Sequence, residues 1–76
     1  MIAAYILIQA GPGNAAVVAA ALRDLPGVVE AASVAGPYDV IAGAGAGHES
    51  LARLVTSRAQ ALEGVRRTMS CPVVHL

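Results

Sequence analysis

Two short groups of side chains in this 76-residue chain have the types and spacing to hold a small charged molecule. The first is Gly36-Pro37-Tyr38-Asp39. A permissive glycine and a φ-fixing proline set up a turn, and a flat ring with a hydroxyl and then a carboxylate follow. A carboxylate suits an ammonium group through a charge-assisted hydrogen bond. The second group is Thr68 and Ser70, spaced so that a strand presents both hydroxyls on one face. Hydroxyls and free backbone N–H groups can receive a carboxylate. An anionic end and a neutral donor end together suit a zwitterion, that is, a small amino acid. From chemistry alone, Gly36-Pro37-Tyr38-Asp39 reads equally well as an ordinary hairpin turn in which Asp39 bonds a local backbone N–H.

Other suggestive spacings are incomplete. Gly11-Pro12-Gly13-Asn14-Ala15-Ala16 follows a strand signal and opens a helix, matching the dinucleotide fingerprint in form. That fingerprint needs continued strand-helix alternation, whereas this chain turns from its second strand directly into its third. A tight turn with Asn14 as helix cap is the expectation. The alternating Gly43 to Gly47 stretch lacks the Lys-Ser/Thr ending of a phosphate loop and reads as a strand end thinned for close approach. His48-Glu49 begins a zinc-protease pattern, but Ala52 stands where the second histidine belongs. Cys71 and His75 complete no metal set, and Cys71 on an apolar strand reads as a small inert hydrophobe. No cofactor, metal or catalytic residue is expected.

Composition narrows the class further. The length makes one domain, residues 1–76. A single cysteine forbids an internal disulfide, and two tyrosines are the only aromatic residues, so large core anchors are scarce. Oligomerisation is the remaining route to stability for so small a domain. Five basic side chains balance five acidic ones, and Arg53, Arg58, Arg66 and Arg67 are too sparse to grip a duplex. Direct DNA binding is not expected. The apolar opening run Ile2 to Ile8 lacks the basic start of a secretory leader and is too short to span a bilayer. It reads as a buried strand of a cytoplasmic protein.

The positioning elements alternate as strand, helix, strand, strand, helix, strand. Strand one covers Ile2 to Ala10. Helix one runs from Asn14 to Leu25, where Pro26-Gly27 stops it, with Val18, Leu22 and Leu25 on its apolar stripe and Ala15 and Ala21 beside them. Strand two covers Val28 to Ala35, and strand three Tyr38 to Gly45. Helix two runs from Glu49 to Leu62, with Leu51, Leu54, Val55 and Leu62 on one face and Gly64 as its cap. Strand four covers Val65 to His75.

Leu25-Pro26-Gly27-Val28 and Leu62-Glu63-Gly64-Val65 close the two helices alike, the mark of a duplicated ferredoxin-like βαββαβ fold with an antiparallel four-stranded sheet. Strands one and three are apolar on both faces and belong in the centre. Glu30, Ser33, Arg66, Arg67 and Pro72 mark strands two and four as edges. Two helices cover one face of such a sheet. The other is left apolar and bare, which predicts a dimeric α+β barrel formed by two sheets face to face.

Gly36-Pro37-Tyr38-Asp39 resembles the Gly-x-Tyr-Asp turn of the Lrp/AsnC family of transcription regulators, and Thr68-x-Ser70 resembles the Thr-x-Thr/Ser pattern of that family's last strand. Pro37 stands where the family more often has a polar residue. The resemblance runs through the whole chain and covers only the family's effector-binding domain, with no helix-turn-helix before it. It implies a non-catalytic amino-acid-sensing and oligomerisation domain, with Gly36, Pro37, Tyr38, Asp39, Thr68 and Ser70 as the effector site. It also implies homodimers, rings of four or five dimers, and action on transcription through partners such as full-length regulators. Three other readings stay open at this point. They are a small barrel enzyme of monooxygenase or isomerase type, an ACT-like regulatory domain, and a purely structural oligomerisation module.

Overall fold

The computed structural model describes residues 2–45 and 49–74, with the side chains of residues 49–52 and 54 left aside. The chain runs β1 (Ile2–Ala10), α1 (Ala15–Arg23), β2 (Val28–Ser33), β3 (Val40–Gly45), α2 (Glu49–Gln60), β4 (Val65–Pro72). All strand pairs are antiparallel, in the order β2-β3-β1-β4, so the two strands with apolar residues on both sides are central and Pro72 lies on an edge. This is the expected ferredoxin-like arrangement.

Alternation along β1 sorts the molecule into layers. Ala4, Ile6, Ile8 and Ala10 are buried, together with Val40, Ala42 and Ala44 of β3. They meet Val18, Ala19 and Leu22 of α1 and Val55 and Ala59 of α2 in a single core, against which Leu25 and Leu62 also pack. The α1 stripe, and Val55 and Leu62 of the second stripe, thus fall as their spacing requires, while the side chains of Leu51 and Leu54 lie outside those described. The intervening residues Tyr5, Leu7 and Gln9 point to the opposite side, where no element of the described chain covers them. The accessible surface is 4747 Å², against roughly 4,300 Å² for a folded monomer of this mass.

Every element is shorter than the sequence predicts at one end or both, β1 excepted, and each end has a cause. Both helices finish in a tightened turn: Asp24 and Leu25 donate to Ala21 and Leu22, and Ala61 and Leu62 to Arg58 and Ala59. A shared turn then follows. Val28 N–H donates to Leu25 O and Val65 N–H to Leu62 O, with Gly27 and Gly64 both at φ 93°. Glycine at the third position with positive φ is the requirement of a type II turn, so the two four-residue repeats are structural equivalents. β2 ends at Ser33 and β3 begins at Val40, because the stretch between them, with Gly36 at φ 141°, forms the hairpin loop. β4 ends at Pro72, and His75 lies outside the described residues, as do His48 and the Ala46-Gly47 end of the glycine-alanine run.

Asn14 precedes α1 but makes no side-chain capping bond, contrary to the expected cap. Its backbone is already helical, and its side chain instead packs on the second turn, where a Cβ on Gly64 would lie 3.3 Å from Asn14 Cβ. Gly11 N–H donates to Gly64 O at 2.9 Å, so the Gly11–Asn14 loop is closed against the 62–65 turn rather than open as a phosphate cradle.

Candidate functional site

The loop between β2 and β3 is held by backbone and side-chain bonds together. Val34 N–H donates to Asp39 O at 2.8 Å, closing the loop, and Asp39 N–H donates to Ile8 O at 2.9 Å, extending the β1–β3 ladder. The Asp39 carboxylate turns back along β1 and accepts the Ala10 N–H through Oδ2 at 2.9 Å. Ala10 N–H lies where β1 pairing becomes irregular, between Gln9 and Ala10. A carboxylate there satisfies a donor that the strand ladder leaves over. Among the described residues, Asp39 Oδ1 has no hydrogen-bond partner.

Two further contacts lash the turn to the uncovered face. Gln9 Nε2 donates to Pro37 O at 3.2 Å. The Tyr38 hydroxyl contacts Met69 Sδ at 3.9 Å, a weak hydrogen bond to a soft acceptor. Gln9 pairs with Arg67, and Met69 with Leu7, so both side chains belong to the uncovered face. Gly36 and Pro37 are exposed, while Tyr38 and Asp39 are half-buried. An added Cβ on Gly36 would meet nothing within 4 Å, which leaves room for a ligand or a neighbouring chain.

Thr68 and Ser70 do share a face of β4, but it is the helix-bearing one. Thr68 pairs with Ile8 and Ser70 with Ile6, both core residues. Gln60 Nε2 of α2 donates to Thr68 Oγ1 at 2.9 Å, and Thr56 Oγ1 lies 2.7 Å from Ser70 Oγ. Within one chain, Asp39 and Thr68 flank β1 on opposite sides, about 10 Å apart at two strand spacings. Tyr38 and Asp39 are therefore brought together by one chain, and the hydroxyl pair is not added to them. Gln9 and Met69 escaped the sequence reading. The one signal for Gln9 was an amide in an otherwise apolar first strand.

The rest of the chemistry is sparse. Cys71 is a half-buried free thiol facing Tyr5. Among the described residues, no group of histidine, cysteine, aspartate or glutamate is placed to hold a metal ion. No helix among them is long and apolar enough to cross a membrane.

Comparison with known proteins agrees with this architecture. The chain superimposes on the crystal structure of TTHA0845 from Thermus thermophilus with a TM-score of 0.87 and 34% identity, covering 100% of this chain and 96% of that one. A hypothetical protein from Pyrococcus horikoshii, PHS023, gives 0.83 at 25% identity, with coverage of 100% and 93%. The transcriptional regulator NMB0573 of Neisseria meningitidis, solved as an L-Met complex, shares the fold with a TM-score of 0.78 at 21% identity. There the match covers 97% of this chain and 50% of the regulator. No curated protein matches the chain significantly. The Lrp/AsnC ligand binding domain family matches residues 3–75. The chain belongs to the Lrp/AsnC ligand-binding domain family.

Proposed function

We propose that this domain senses a small amino acid and assembles through the uncovered face of its sheet, acting on transcription through partner regulators rather than by catalysis. The single observation that carries the sensing half is the Asp39 carboxylate. One oxygen fixes the turn by accepting the Ala10 N–H, and the other is unengaged among the described residues. That oxygen takes the ammonium of an effector, with the Tyr38 ring as its apolar wall. Thr68 and Ser70 contribute only from a neighbouring protomer, since their own chain holds them on the far side of β1. A regulator of this fold solved with L-Met supports an amino acid as the ligand class.

The assembly half is supported by the side chains left bare. Tyr5 is 36% exposed on a central strand, Met69 48% on the edge strand beside it, and Val29 60% beside β3. A standard interface of roughly 1,600 Å² covers such a face, and two sheets packed this way make an α+β barrel with helices outside. Rings of four or five dimers, cytoplasmic residence and joint assembly with full-length regulators extend the same reading.

A purely structural oligomerisation module is the second reading, favoured by the bonds that already occupy Thr68, Ser70 and one Asp39 oxygen. Calorimetry across the twenty amino acids separates the two. Sensing requires one amino acid to bind the wild type, and Asp39→Ala to weaken that binding by about 2–5 kcal/mol if the charge pair is buried. Absence of any binding leaves the structural module. Equal binding by wild type and variant removes Asp39 from the site.

A further inference from the structure

Besides Asp39 in the turn, the strands of the uncovered face carry one acid and one base among the described residues, at opposite corners. Glu30 lies on edge strand β2 across from Gly43, and its Cγ is 3.3 Å from where a Gly43 Cβ would point, on the same side as Ile2. Arg67 lies on edge strand β4 across from Gln9. The irregularity between Val28 and Glu30 turns Val29 onto this face as well, since a Cβ on Gly45 would meet Val29 Cγ2 at 3.2 Å. Both charged side chains are exposed, and neither makes a hydrogen bond or ion pair among the described residues. They cannot reach each other. Glu30 sits level with Tyr5 and Arg67 level with Gln9. They are thus three strand spacings apart across the sheet, about 14 Å, and four residues apart along it, about 13 Å.

We propose that Glu30 and Arg67 set the orientation of a second copy of this chain on the open face, an inference that rests on the face-to-face dimer proposed above. A two-fold axis for such a dimer lies between the sheets and parallel to them. An axis along the strands lays Glu30 over the Cys71 corner, and an axis across them lays it over the Val34 corner of the copy's β2. The first leaves Glu30 over Cys71 with no basic partner, and the second sets it beside the copy's Asp39, a like charge, so neither pairs both charges. An axis along the Glu30–Arg67 diagonal stacks Glu30 on its own copy and Arg67 on its own, and like charges face to face are repulsive. The remaining diagonal exchanges the corners. Because the rectangle is nearly square, that axis stands at about 45° to the strands and crosses the two sheets near a right angle, one of the two packing modes open to sheets. It brings Glu30 of each protomer to Arg67 of the other, twice over, at the rim of an apolar centre containing Tyr5, Leu7, Ile41 and Met69.

Dissociation constants from sedimentation equilibrium test this by charge exchange. Glu30→Arg and Arg67→Glu should each weaken the dimer about tenfold or more, and the double variant should return to within about threefold of wild type. Each single loss should shrink at high salt. Independent single and double effects, with no restoration, overturn the pairing. A neutralising cycle with Glu30→Gln and Arg67→Gln gives the same coupling if a reversal lowers folded yield. A wild type that stays monomeric at micromolar concentration overturns the face-to-face dimer itself. A dimer with uncoupled charges overturns only the orientation.

Discussion

The two faces of the sheet draw on alternate residues of the same strands and end in opposite states. On the helix side, Ile6, Ile8, Val40 and Ala42 are completely buried. On the other, Tyr5 and Met69 keep a third to a half of their surface in water although they sit in or beside the sheet's centre. Side-chain size alone does not separate the faces, since Ile6 and Leu7 are neighbours of equal volume. The helix face is a finished core that holds one chain together. The open face is an unfinished one, and the Gly36–Asp39 turn is tied to it through Gln9 and Met69. Whatever settles on that face touches two of the residues that place Tyr38 and Pro37.

The largest expected effects should break this symmetry in opposite directions. Ile6→Ala deletes a fully buried side chain and should lower unfolding free energy by about 2–5 kcal/mol, with assembly unchanged wherever the chain remains folded. Tyr5→Ala, one residue earlier, should lower dimer affinity by about 2 kcal/mol, the scale of a central interface anchor. Urea unfolding of dilute protein and sedimentation across a concentration series distinguish the two. If Tyr5→Ala destabilises dilute protein as much as Ile6→Ala does, the open face is part of the monomer's own core and the contrast fails.

A smaller pair of effects sharpens the role of the turn. Asp39→Ala leaves the Ala10 N–H without its acceptor and should cost about 1–3 kcal/mol of stability. Asp39→Asn keeps an amide oxygen for that N–H, so thermal unfolding should stay within about 1 kcal/mol of wild type. Its neutral side chain, however, no longer attracts an ammonium, so effector binding should fall as far as in Asp39→Ala. Unaltered effector affinity in Asp39→Asn would reduce Asp39 to a strut of the loop.

Element order and strand placement were legible because they follow from periodicity. Two-faced apolar strands belong in a centre, and a proline belongs on an edge. Element ends were less so. Both helices overran by the residues of a tightened turn, after which Gly27 and Gly64 at positive φ close a second turn that leads the chain into a strand. The Asn14 cap failed because Gly64 leaves a hollow that the Asn14 side chain fills. The site was half legible. Tyr38 and Asp39 adjoin in sequence and remain together in space. Thr68 and Ser70 were rightly placed on one face, but which face depends on register, and a shift of one residue reverses it. The braces from Gln9 and Met69 are tertiary contacts across 28 and 31 residues, which no local pattern encodes.

The smallest expected effect lies on the seam between α2 and β4. Gln60 is exposed, and its amide reaches Thr68 across the surface of the helix layer. A surface hydrogen bond of this kind exchanges with water on either side of folding, so Gln60→Ala should cost less than about 1 kcal/mol. In a domain of this size that is a fall of at most roughly 4–8 °C in melting temperature. Neither the dimer mass nor the coupling between Glu30 and Arg67 should change, because the seam lies on the opposite side of the sheet. Effector binding is the more telling readout. The substitution frees the Thr68 hydroxyl, so an effector that uses Thr68 of a neighbouring protomer should show a changed affinity while stability barely moves. An unchanged affinity beside a normal Asp39 response would leave Tyr38 and Asp39 as the whole polar site and return Thr68 to the fastening of α2.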